Sequence, residues 1–357
     1  MRGFKGYAWV HGFVKASPRV RPRAGELWDA SIGFYTVWVA HMGRRYGLLR
    51  ALSRHENGAT LAAISKELGL HPPAVRVWSE AAQSLGLIVR KGERHTLPAR
   101  LRSLLVDEDA SDFLGGQFSY LALRSLDFDA LDGFFRSGRR PASASRHLME
   151  ATEEATRWDH TSFRTFLLNK VPELRSSLRR GARVLDVGCG TGGWVLRMAG
   201  VFPRSTFLGI DPNRTAIRAA RATAKRVKAG TQVLFRVGTG ETGGRGSFDL
   251  VHLGEVLYGV ADKAELLNTC RGALRSGGCL VIAEGLRESG SRSRDPGDKL
   301  IAAMGIDFAL QGSRFFTKRE LEELLGNAGF RDRRFHHAGG GLWFIVAKAP
   351  PRKSSKT

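Results

Sequence analysis

The feature that most constrains the fold is an apolar segment followed by a glycine-rich run and a second apolar segment. Residues 183–187 read Arg-Val-Leu-Asp-Val, residues 188–193 read Gly-Cys-Gly-Thr-Gly-Gly, and residues 194–198 are again mostly apolar. This order predicts a strand, a tight loop and the start of a helix, because glycine permits both a sharp turn and the close approach of a ligand to the backbone. The free N–H groups at the start of such a helix attract an anionic or polar ligand.

The glycine loop fits the dinucleotide pattern G-x-G-x-x-G through Gly188, Gly190 and Gly193, but this match alone has low specificity. Asp186, two residues before the first glycine, favours a different ligand. Its carboxylate can bind the ammonium of a methionine moiety, directly or through water. A dinucleotide would place a negatively charged pyrophosphate in the same region and would gain little from an acid there.

A second acid follows the next predicted strand. Residues 205–210 form an apolar segment that ends in Asp211 and Pro212. An acid at the end of the second strand can accept hydrogen bonds from both ribose hydroxyls of an adenosine ligand. Pro212 is placed to lie against the adenine ring. Asp186 and Asp211, at this spacing around one glycine loop, therefore predict a methyl-donor site.

These motifs resemble those of the class I S-adenosylmethionine-dependent methyltransferases, and the resemblance covers residues 181–348. The segment VLDVGCGTG, residues 184–192, is similar to the first motif of that family, and residues 208–212 are similar to its second-strand motif. Later segments are similar to its third, fourth, fifth and last strands: residues 233–237, 248–251, 279–283 and 342–348. The resemblance implies an α/β, Rossmann-like sheet of seven mostly parallel strands, with the last strand inserted antiparallel, and S-adenosyl-L-methionine as the cofactor.

The resemblance also implies which residues bind the cofactor. In addition to Asp186, Asp211 and Pro212, these lie in the first loop, after the third strand and at the end of the fourth: Gly188, Gly190, Gly192, Gly238, Thr239, Gly240 and Leu253. Thr239 departs from the family, which often has Gly-Asp-Ala here with the aspartate binding the adenine amino group. A threonine hydroxyl carries no charge, so we expect a weaker adenine contact, or one that the backbone or Glu241 makes.

A smaller, mostly helical domain is predicted ahead of the sheet, over residues 26–110. The apolar spacing of residues 27–52 fits one long helix or two shorter ones. Thr60 can cap a helix that Gly69 ends, and Pro72 fits the first turn of the next helix. A small two-stranded wing follows. This order resembles the winged-helix domain that precedes many small-molecule O-methyltransferases, which implies a homodimer formed through this half of the chain.

Three further segments complete the predicted organisation. Residues 1–25 contain six basic residues and no acid, and we expect a disordered basic arm. Residues 111–180 form a helical connector, which includes an amphipathic helix over residues 158–171. Residues 349–357 form a disordered tail.

Composition limits the compartment and the partners. Three scattered cysteines are too few for a disulfide framework or a zinc site, so we expect no metal and a cytoplasmic protein. No apolar run approaches the ~20 residues that span a bilayer, so no membrane is expected. The net charge of +22 could attract nucleic acid. We do not favour that partner, because basic residues are spread along the chain and the basic face of the helix after Asp211 is equally typical of a solvated outer helix.

The chain is therefore expected to be an enzyme that transfers a methyl group to a small molecule, as O-methyltransferases do. His252, Glu255 and Tyr258 follow the fourth strand and are candidates for a general base. The histidine motif of plant-type O-methyltransferases is not evident after the fifth strand, so no base is assigned. Two alternatives remain open: an RNA or protein methyltransferase recruited by the basic surface, and a DNA-binding regulator that senses S-adenosylmethionine without catalysis.

Overall fold

The computed structural model describes residues 21–240, 244–287 and 296–351. Most of the expected basic arm and of the expected tail falls outside these ranges, as does Glu241. Residues 21–25, which we expect to belong to the disordered arm, instead form the start of a helix that begins at Arg21.

The chain divides into two compact units, residues 1–102 and residues 103–357. The first unit thus ends before residue 110, where we expect the smaller domain to end. The segment that we expect to be a helical connector shares the second unit with the sheet.

The described part of the first unit is helical with a short hairpin. Its elements are α1 (Arg21–Arg45), α2 (Leu48–Arg54), α3 (Leu61–Leu68), α4 (Pro72–Ser84), β1 (Val89–Lys91) and β2 (Arg94–Thr96). The stretch that fits one or two helices forms two, because Gly47 adopts a left-handed conformation between them (φ +75°). Thr60 caps α3 by accepting a hydrogen bond from the N–H of Ala63 at 3.2 Å, and Gly69 ends the helix, as predicted.

Helix α4 has one buried and one exposed face. Trp78 is buried, and its indole N–H donates to the carbonyl of Val39 at 2.9 Å. The opposite face exposes Arg76 and Glu80. A helix that reads DNA presents several donors to the base edges, whereas these two charges have opposite signs.

The second unit begins with helices that precede the sheet. They are α5, which starts in the first unit (Ala99–Leu105), α6 (Gly115–Ser125), α7 (Leu131–Ser137), α8 (Arg146–Ser162) and α9 (Pro172–Arg180). Helix α8 starts well before Trp158, because Ser145 caps it by accepting a hydrogen bond from the N–H of Leu148 at 3.0 Å. It continues into a π-helical turn at Phe163–Leu167, a distortion that is frequent at functional sites.

Seven strands form the sheet of the second unit. They are β3 (Arg183–Val187), β4 (Thr206–Asp211), β5 (Val233–Val237), β6 (Phe248–Gly254), β7 (Leu274–Gly285), β8 (Arg331–Gly339) and β9 (Leu342–Lys348). The spatial order is β5-β4-β3-β6-β7-β9-β8. Strand β9 runs antiparallel to β7 and β8, and the other pairs are parallel. The predicted Rossmann-like sheet of seven mostly parallel strands is confirmed, including the inserted antiparallel strand.

Helices cover both faces of this sheet. They are α10 (Gly193–Val201), α11 (Arg214–Arg226), α12 (Lys263–Ala273), α13 (Pro296–Leu310) and α14 (Lys318–Asn327). One apolar layer includes Phe163, Trp194 and Phe344, and the other includes Leu253 and Ile282. Among the described residues, no helix is both long and apolar enough to cross a bilayer.

The basic residues of α11 lie on the solvent side of the unit. Arg214, Arg218 and Lys225 are exposed. Arg221 donates to the carbonyl of Phe235 from Nε at 3.0 Å and from Nη2 at 2.8 Å, which anchors the helix to β5. This placement fits a solvated outer face of a helix in an α/β unit.

A buried ion pair joins α6 to α13. The guanidinium of Arg124 donates to the carboxylate of Asp307 from Nη2 at 2.6 Å and from Nε at 3.0 Å, and both residues are about 4% exposed. The hydroxyl of Tyr120 donates to the same carboxylate at 2.7 Å. Two hydrogen bonds from one guanidinium to one carboxylate constrain the orientation of both groups. The pair therefore fixes the position of α13 against α6.

Replacing Asp307 with alanine is expected to lower the free energy of unfolding by about 1.5–3 kcal/mol, because Arg124 and Tyr120 lose a charged hydrogen-bond partner while Asp127 still pairs with Arg124. Urea denaturation measures this change. The control is Asp132→Ala, since the pair of Asp132 with Arg136 is more than 70% exposed on both sides and contributes below about 1 kcal/mol. Equal effects of the two substitutions would contradict the assignment.

Candidate functional site

A cavity of about 1320 Å³ opens at the carboxyl ends of β3, β4 and β6. In an open α/β sheet, ligands bind beyond this edge. Most of the predicted cofactor residues line the cavity: Asp186, Gly188, Gly190, Asp211, Pro212, Gly238, Thr239 and Gly240. Gly192 and Leu253 do not line it. The side chain of Leu253 is fully buried in an apolar layer, and the wall of the cavity on this side begins at Gly254.

The glycine loop is fastened to the end of β4. The N–H groups of Gly188 and Cys189 donate to the carbonyl of Ile210 at 2.8 and 3.0 Å. The next N–H, that of Gly190, donates to Oδ2 of Asp211 at 2.9 Å. The loop therefore presents its backbone to the cavity in one fixed conformation.

Gly192 packs against Phe235 instead of lining the cavity. It has a φ of +81°, and a Cβ atom on it would lie 2.4 Å from Cζ of Phe235, so only glycine fits there. Cys189 is buried within the loop, and burial raises the pKa of its thiol. These two residues shape the loop, while its cavity side is left to a ligand.

Asp186 is buried and paired with His252. The two side chains are joined by a hydrogen bond of 2.8 Å between Oδ1 of Asp186 and Nδ1 of His252, and each residue is 3% exposed. The imidazole ring stacks on the indole of Trp194, with ring centres 3.9 Å apart. Burial raises the pKa of Asp186, and the hydrogen bond from His252 opposes that rise. His252, a candidate base from the sequence, thus lies where it orients Asp186.

The carboxylate of Asp211 is held by backbone amides. Besides the bond from Gly190, Oδ1 accepts a hydrogen bond from the N–H of Asn213 at 2.7 Å. A carboxylate has about four lone-pair directions, so Asp211 can accept further hydrogen bonds from a ligand. Its position at the end of β4 is the one that the sequence predicts for a ribose acceptor.

The turn after β5 forms the third wall of the cavity. Gly238, Thr239 and Gly240 line it, and the N–H of Gly238 donates to the carbonyl of Asp211 at 3.1 Å. Glu241, the alternative adenine ligand, lies outside the described residues. In the described part of this turn, Thr239 provides the only side chain with a hydrogen-bonding group.

A second set of polar residues lines the other end of the same cavity. Asp159 from α8 and Glu255 after β6 both reach the cavity wall. Behind them, Glu284 of β7 is completely buried, and its Oε1 accepts a hydrogen bond from the N–H of Leu257 at 2.7 Å. We call Asp159, Glu255 and Glu284 the carboxyl set. Among its members, the sequence singled out Glu255 alone.

The environment of the carboxyl set favours protonated acids. Burial raises the pKa of Glu284 to about 8 and the pKa of Asp159 to about 7. Burial and the nearby charges of Glu284 and Asp159 raise the pKa of Glu255 well above its ordinary value. Perturbed acids of this kind in a cleft are typical of functional sites.

Tyr258, the third base candidate, belongs to a neighbouring aromatic cluster. Its ring lies 4.8 Å from that of Phe308, and Phe308 lies 3.9 Å from Phe315. Burial raises the pKa of Tyr258 well above its ordinary value, and the charges of the carboxyl set act in the same direction. Its hydroxyl is therefore a hydrogen-bonding group at neutral pH rather than a base.

Comparisons with known proteins agree with this geometry. A family described as "Methyltransferase domain" matches residues 158–334. The match lies within the second unit, in the part of the chain whose motifs resemble those of the class I methyltransferases. The match begins within α8 and so includes Asp159. S-adenosylmethionine is the methyl donor of this class, as the resemblance in the sequence implies.

Curated relatives are ubiquinone biosynthesis O-methyltransferases. The protein of Xanthomonas axonopodis is 30% identical over 162 residues, which are 42% of this chain and 63% of that protein. The protein of Dinoroseobacter shibae is 29% identical over 42% of this chain and 60% of its own length. The chain thus spans about three-fifths of the length of these relatives.

Solved structures share the fold over most of the chain. Human N-acetylserotonin methyltransferase in complex with S-adenosylmethionine has a TM-score of 0.67 at 19% identity, over 94% of this chain and 99% of that one. An O-methyltransferase family protein from Burkholderia thailandensis has a TM-score of 0.65 at 17% identity, over 92% and 99%. At these identities the likeness establishes the fold alone.

Replacing Glu284 with glutamine is expected to flatten the pH dependence of stability between about pH 5 and pH 8. The folded chain holds the Glu284 proton up to about pH 8, whereas the carboxyl of the unfolded chain ionises near its ordinary value of 4.5. As pH rises between these values, the unfolded chain releases a proton that the folded chain retains, so the free energy of unfolding falls. A glutamine cannot titrate and removes this contribution.

Urea denaturation at several pH values between 5 and 8 measures the effect. The matched control is Glu322→Gln, since Glu322 is exposed on α14 and should leave the slope of the original protein unchanged. A Glu284→Gln protein with that same unchanged slope would show that Glu284 is ionised in the folded state.

Proposed function

We propose that this protein is an enzyme that transfers a methyl group from S-adenosylmethionine to a hydroxyl group of a small molecule. The observation that carries the proposal is that one cavity is lined by Asp186, the glycine loop and Asp211 and also by Asp159 and Glu255 of the carboxyl set. The first group of residues has the chemistry to hold the methyl donor. The carboxyl groups of the second can accept the proton of a methyl acceptor.

The residues present fit S-adenosylmethionine at its methionine and ribose ends. Asp186 would bind the ammonium group, because its carboxylate is buried at the cavity wall and kept in place by His252. Asp211, oriented by two backbone N–H groups, would accept the ribose hydroxyls. The loop glycines Gly188 and Gly190 would let the methionine chain lie against the backbone.

The adenine end of the site differs in chemistry. Pro212 would lie against the ring, and Thr239 or the backbone of Gly238 and Gly240 would provide polar contacts. None of these groups carries a charge. We therefore expect more of the donor's binding energy to come from the methionine and ribose ends than from the adenine.

S-adenosylmethionine supplies an electrophilic methyl group bonded to a sulfonium. Methyl transfer requires the acceptor oxygen in line with the bond between sulfur and methyl, so that positioning alone provides much of the rate. Here the fixed glycine loop and α8, with its π-helical turn, would hold the reactants together. The support for a small hydroxyl acceptor is the names of the curated relatives, together with a cavity of about 1320 Å³.

We also propose a homodimer formed through the first unit, in the cytoplasm. Helix α1 exposes Leu27 (72%), Phe34 (52%) and Tyr35 (66%). Their spacing of seven and eight residues places them on one face of the helix, as in a helix that packs against a partner. The three buried, free cysteines fit a reducing compartment.

Calorimetric titration with S-adenosylhomocysteine, NAD and NADP tests the donor site. S-adenosylhomocysteine is expected to bind, and Asp211→Ala is expected to weaken its binding by about 1–3 kcal/mol, because two ribose hydroxyls lose their acceptor. The exposed Asp132→Ala variant is the control and should bind with unchanged affinity. Thermal melting of each variant confirms that it is folded.

Two results would contradict the proposal. Preferential binding of NAD or NADP would indicate a hydride-transfer enzyme with the same glycine loop. Equal affinity of the folded Asp211→Ala variant for S-adenosylhomocysteine would show that the ribose lies elsewhere.

A further inference from the structure

The carboxyl set is assembled from three separate elements at one end of the cavity. Asp159 comes from α8, Glu255 from the segment after β6, and Glu284 from β7. Asp159 and Glu255 share the cavity wall with the glycine loop. Grouping acids away from bulk water disfavours their ionised forms, so this arrangement favours either protons or a positively charged ligand.

Glu255 is placed by its backbone. It has a φ of +54°, in the left-handed region that residues other than glycine seldom adopt. Its N–H donates to the carbonyl of Ala283 on β7 at 2.9 Å, which holds the residue in this conformation. Strained residues of this kind concentrate at functional sites.

Glu284 provides an independent observation. The residue is 0% exposed, and Oε1 is occupied by the N–H of Leu257. The other oxygen, Oε2, has no hydrogen-bond partner among the described residues. A buried carboxyl oxygen without a close donor is stabilised by a proton of its own or by a cation nearby.

The charges of the three carboxyl groups act on one another. The charges of Glu284 and Asp159 raise the pKa of Glu255, and the charge of Asp159 raises that of Glu284. Two phenols also face the set: Tyr258 from the turn after β6, and Tyr120 from α6, whose hydroxyl is bonded to Asp307. The set can therefore hold protons at neutral pH and release them when a positive charge arrives.

We propose that Glu255, supported by Asp159 and Glu284, accepts the proton of the methyl acceptor, and that the sulfonium charge of the bound donor prepares it by expelling a proton from the carboxyl set. This inference rests on the proposed function, since it places S-adenosylmethionine in the same cavity. It adds a catalytic residue and defines the acceptor as a group that carries a dissociable proton.

The proposed step conserves atoms and charge. A lone pair of the acceptor oxygen attacks the methyl carbon, and the carbon–sulfur bond breaks with its electron pair going to sulfur. The bond between the acceptor oxygen and its hydrogen breaks, and the proton passes to the carboxylate of Glu255. A sulfonium and a carboxylate thus become a neutral thioether and a neutral acid, and the proton later leaves through the cavity.

A sulfonium that binds within about 8 Å of the set would lower the pKa of a carboxyl by about 1.5 pH units, at an effective dielectric constant of about 20. Binding of the donor near pH 7.5 would then release about half a proton or more from the set. S-adenosylhomocysteine has the same ammonium, carboxylate, ribose and adenine but no charge on sulfur, so it should release less.

Isothermal titration calorimetry of the full chain at pH 7.5, in buffers that differ in ionisation enthalpy, counts these protons without an acceptor. S-adenosylmethionine is expected to release about half a proton more than S-adenosylhomocysteine. Glu255→Gln should reduce this difference by about half or more and leave the affinity for S-adenosylhomocysteine within about threefold. Glu322→Gln, which removes an exposed carboxyl on α14, should preserve the difference.

Each other result would overturn the inference. Equal proton release with the two ligands would show that the sulfonium charge does not act on the set. A difference that persists in Glu255→Gln would assign the proton elsewhere, and a large loss of affinity for S-adenosylhomocysteine would make Glu255 a ligand of the donor's ammonium.

The design separates this inference from the proposed function. If S-adenosylhomocysteine does not bind the unaltered chain, the proposed function fails. If it binds but shows no differential proton release, only the inference fails. Should thermal melting show that Glu255→Gln does not fold, Asp159→Asn gives the same comparison, because it removes another member of the set.

Discussion

The hydrogen bonds that fasten the glycine loop to β4 are the constraint on which the rest of the site depends. Three consecutive N–H groups of the loop donate to the last two residues of that strand. Those of Gly188 and Cys189 donate to the carbonyl of Ile210, and that of Gly190 donates to the side chain of Asp211. They fix the path of the loop and, at the same time, aim the Asp211 carboxylate. A ligand therefore meets a backbone and an acid whose positions are coupled, which favours a preorganised site over one that forms on binding.

Burial has opposite consequences at the two ends of the cavity. Asp186 is buried beside His252, which donates a hydrogen bond to its carboxylate and so supports the ionised form. Glu284 is buried beside other acids, and its unpartnered oxygen favours the protonated form. Asp186 on β3 and Glu284 on β7, two parallel strands with β6 between them, are thus suited to different tasks: one to bind a fixed cation, the other to exchange a proton. Such divergence is how one fold assigns separate roles to chemically similar groups.

The sheet and the donor end of the site could be predicted from the sequence, because their determinants are local. Strands buried on both faces give continuous apolar runs, and Asp186 and Asp211 lie at fixed offsets from the glycine loop. The other end of the cavity depends on tertiary contacts. Asp159 lies in a polar part of α8, and Glu284 closes an apolar strand, so nothing local joins them to Glu255. The hydrogen bond between Asp186 and His252 likewise depends on the pairing of β3 with β6, which no local pattern in the sequence reveals.

The ion pair of Arg124 and Asp307 shows why the carboxyl set is not simply a structural feature. Asp307 and Glu284 are both buried acids of the second unit. Asp307, however, accepts hydrogen bonds from Arg124 and Tyr120, which compensate for its burial. The carboxyl set has no equivalent compensation for Oε2 of Glu284 within the described residues. A buried acid that keeps its proton destabilises the folded chain as pH rises, since the unfolded chain releases a proton that the folded chain retains. Asp159 and Glu255 line the cavity beside the buried Glu284, and a positive charge that binds in this cavity would stabilise their ionised forms.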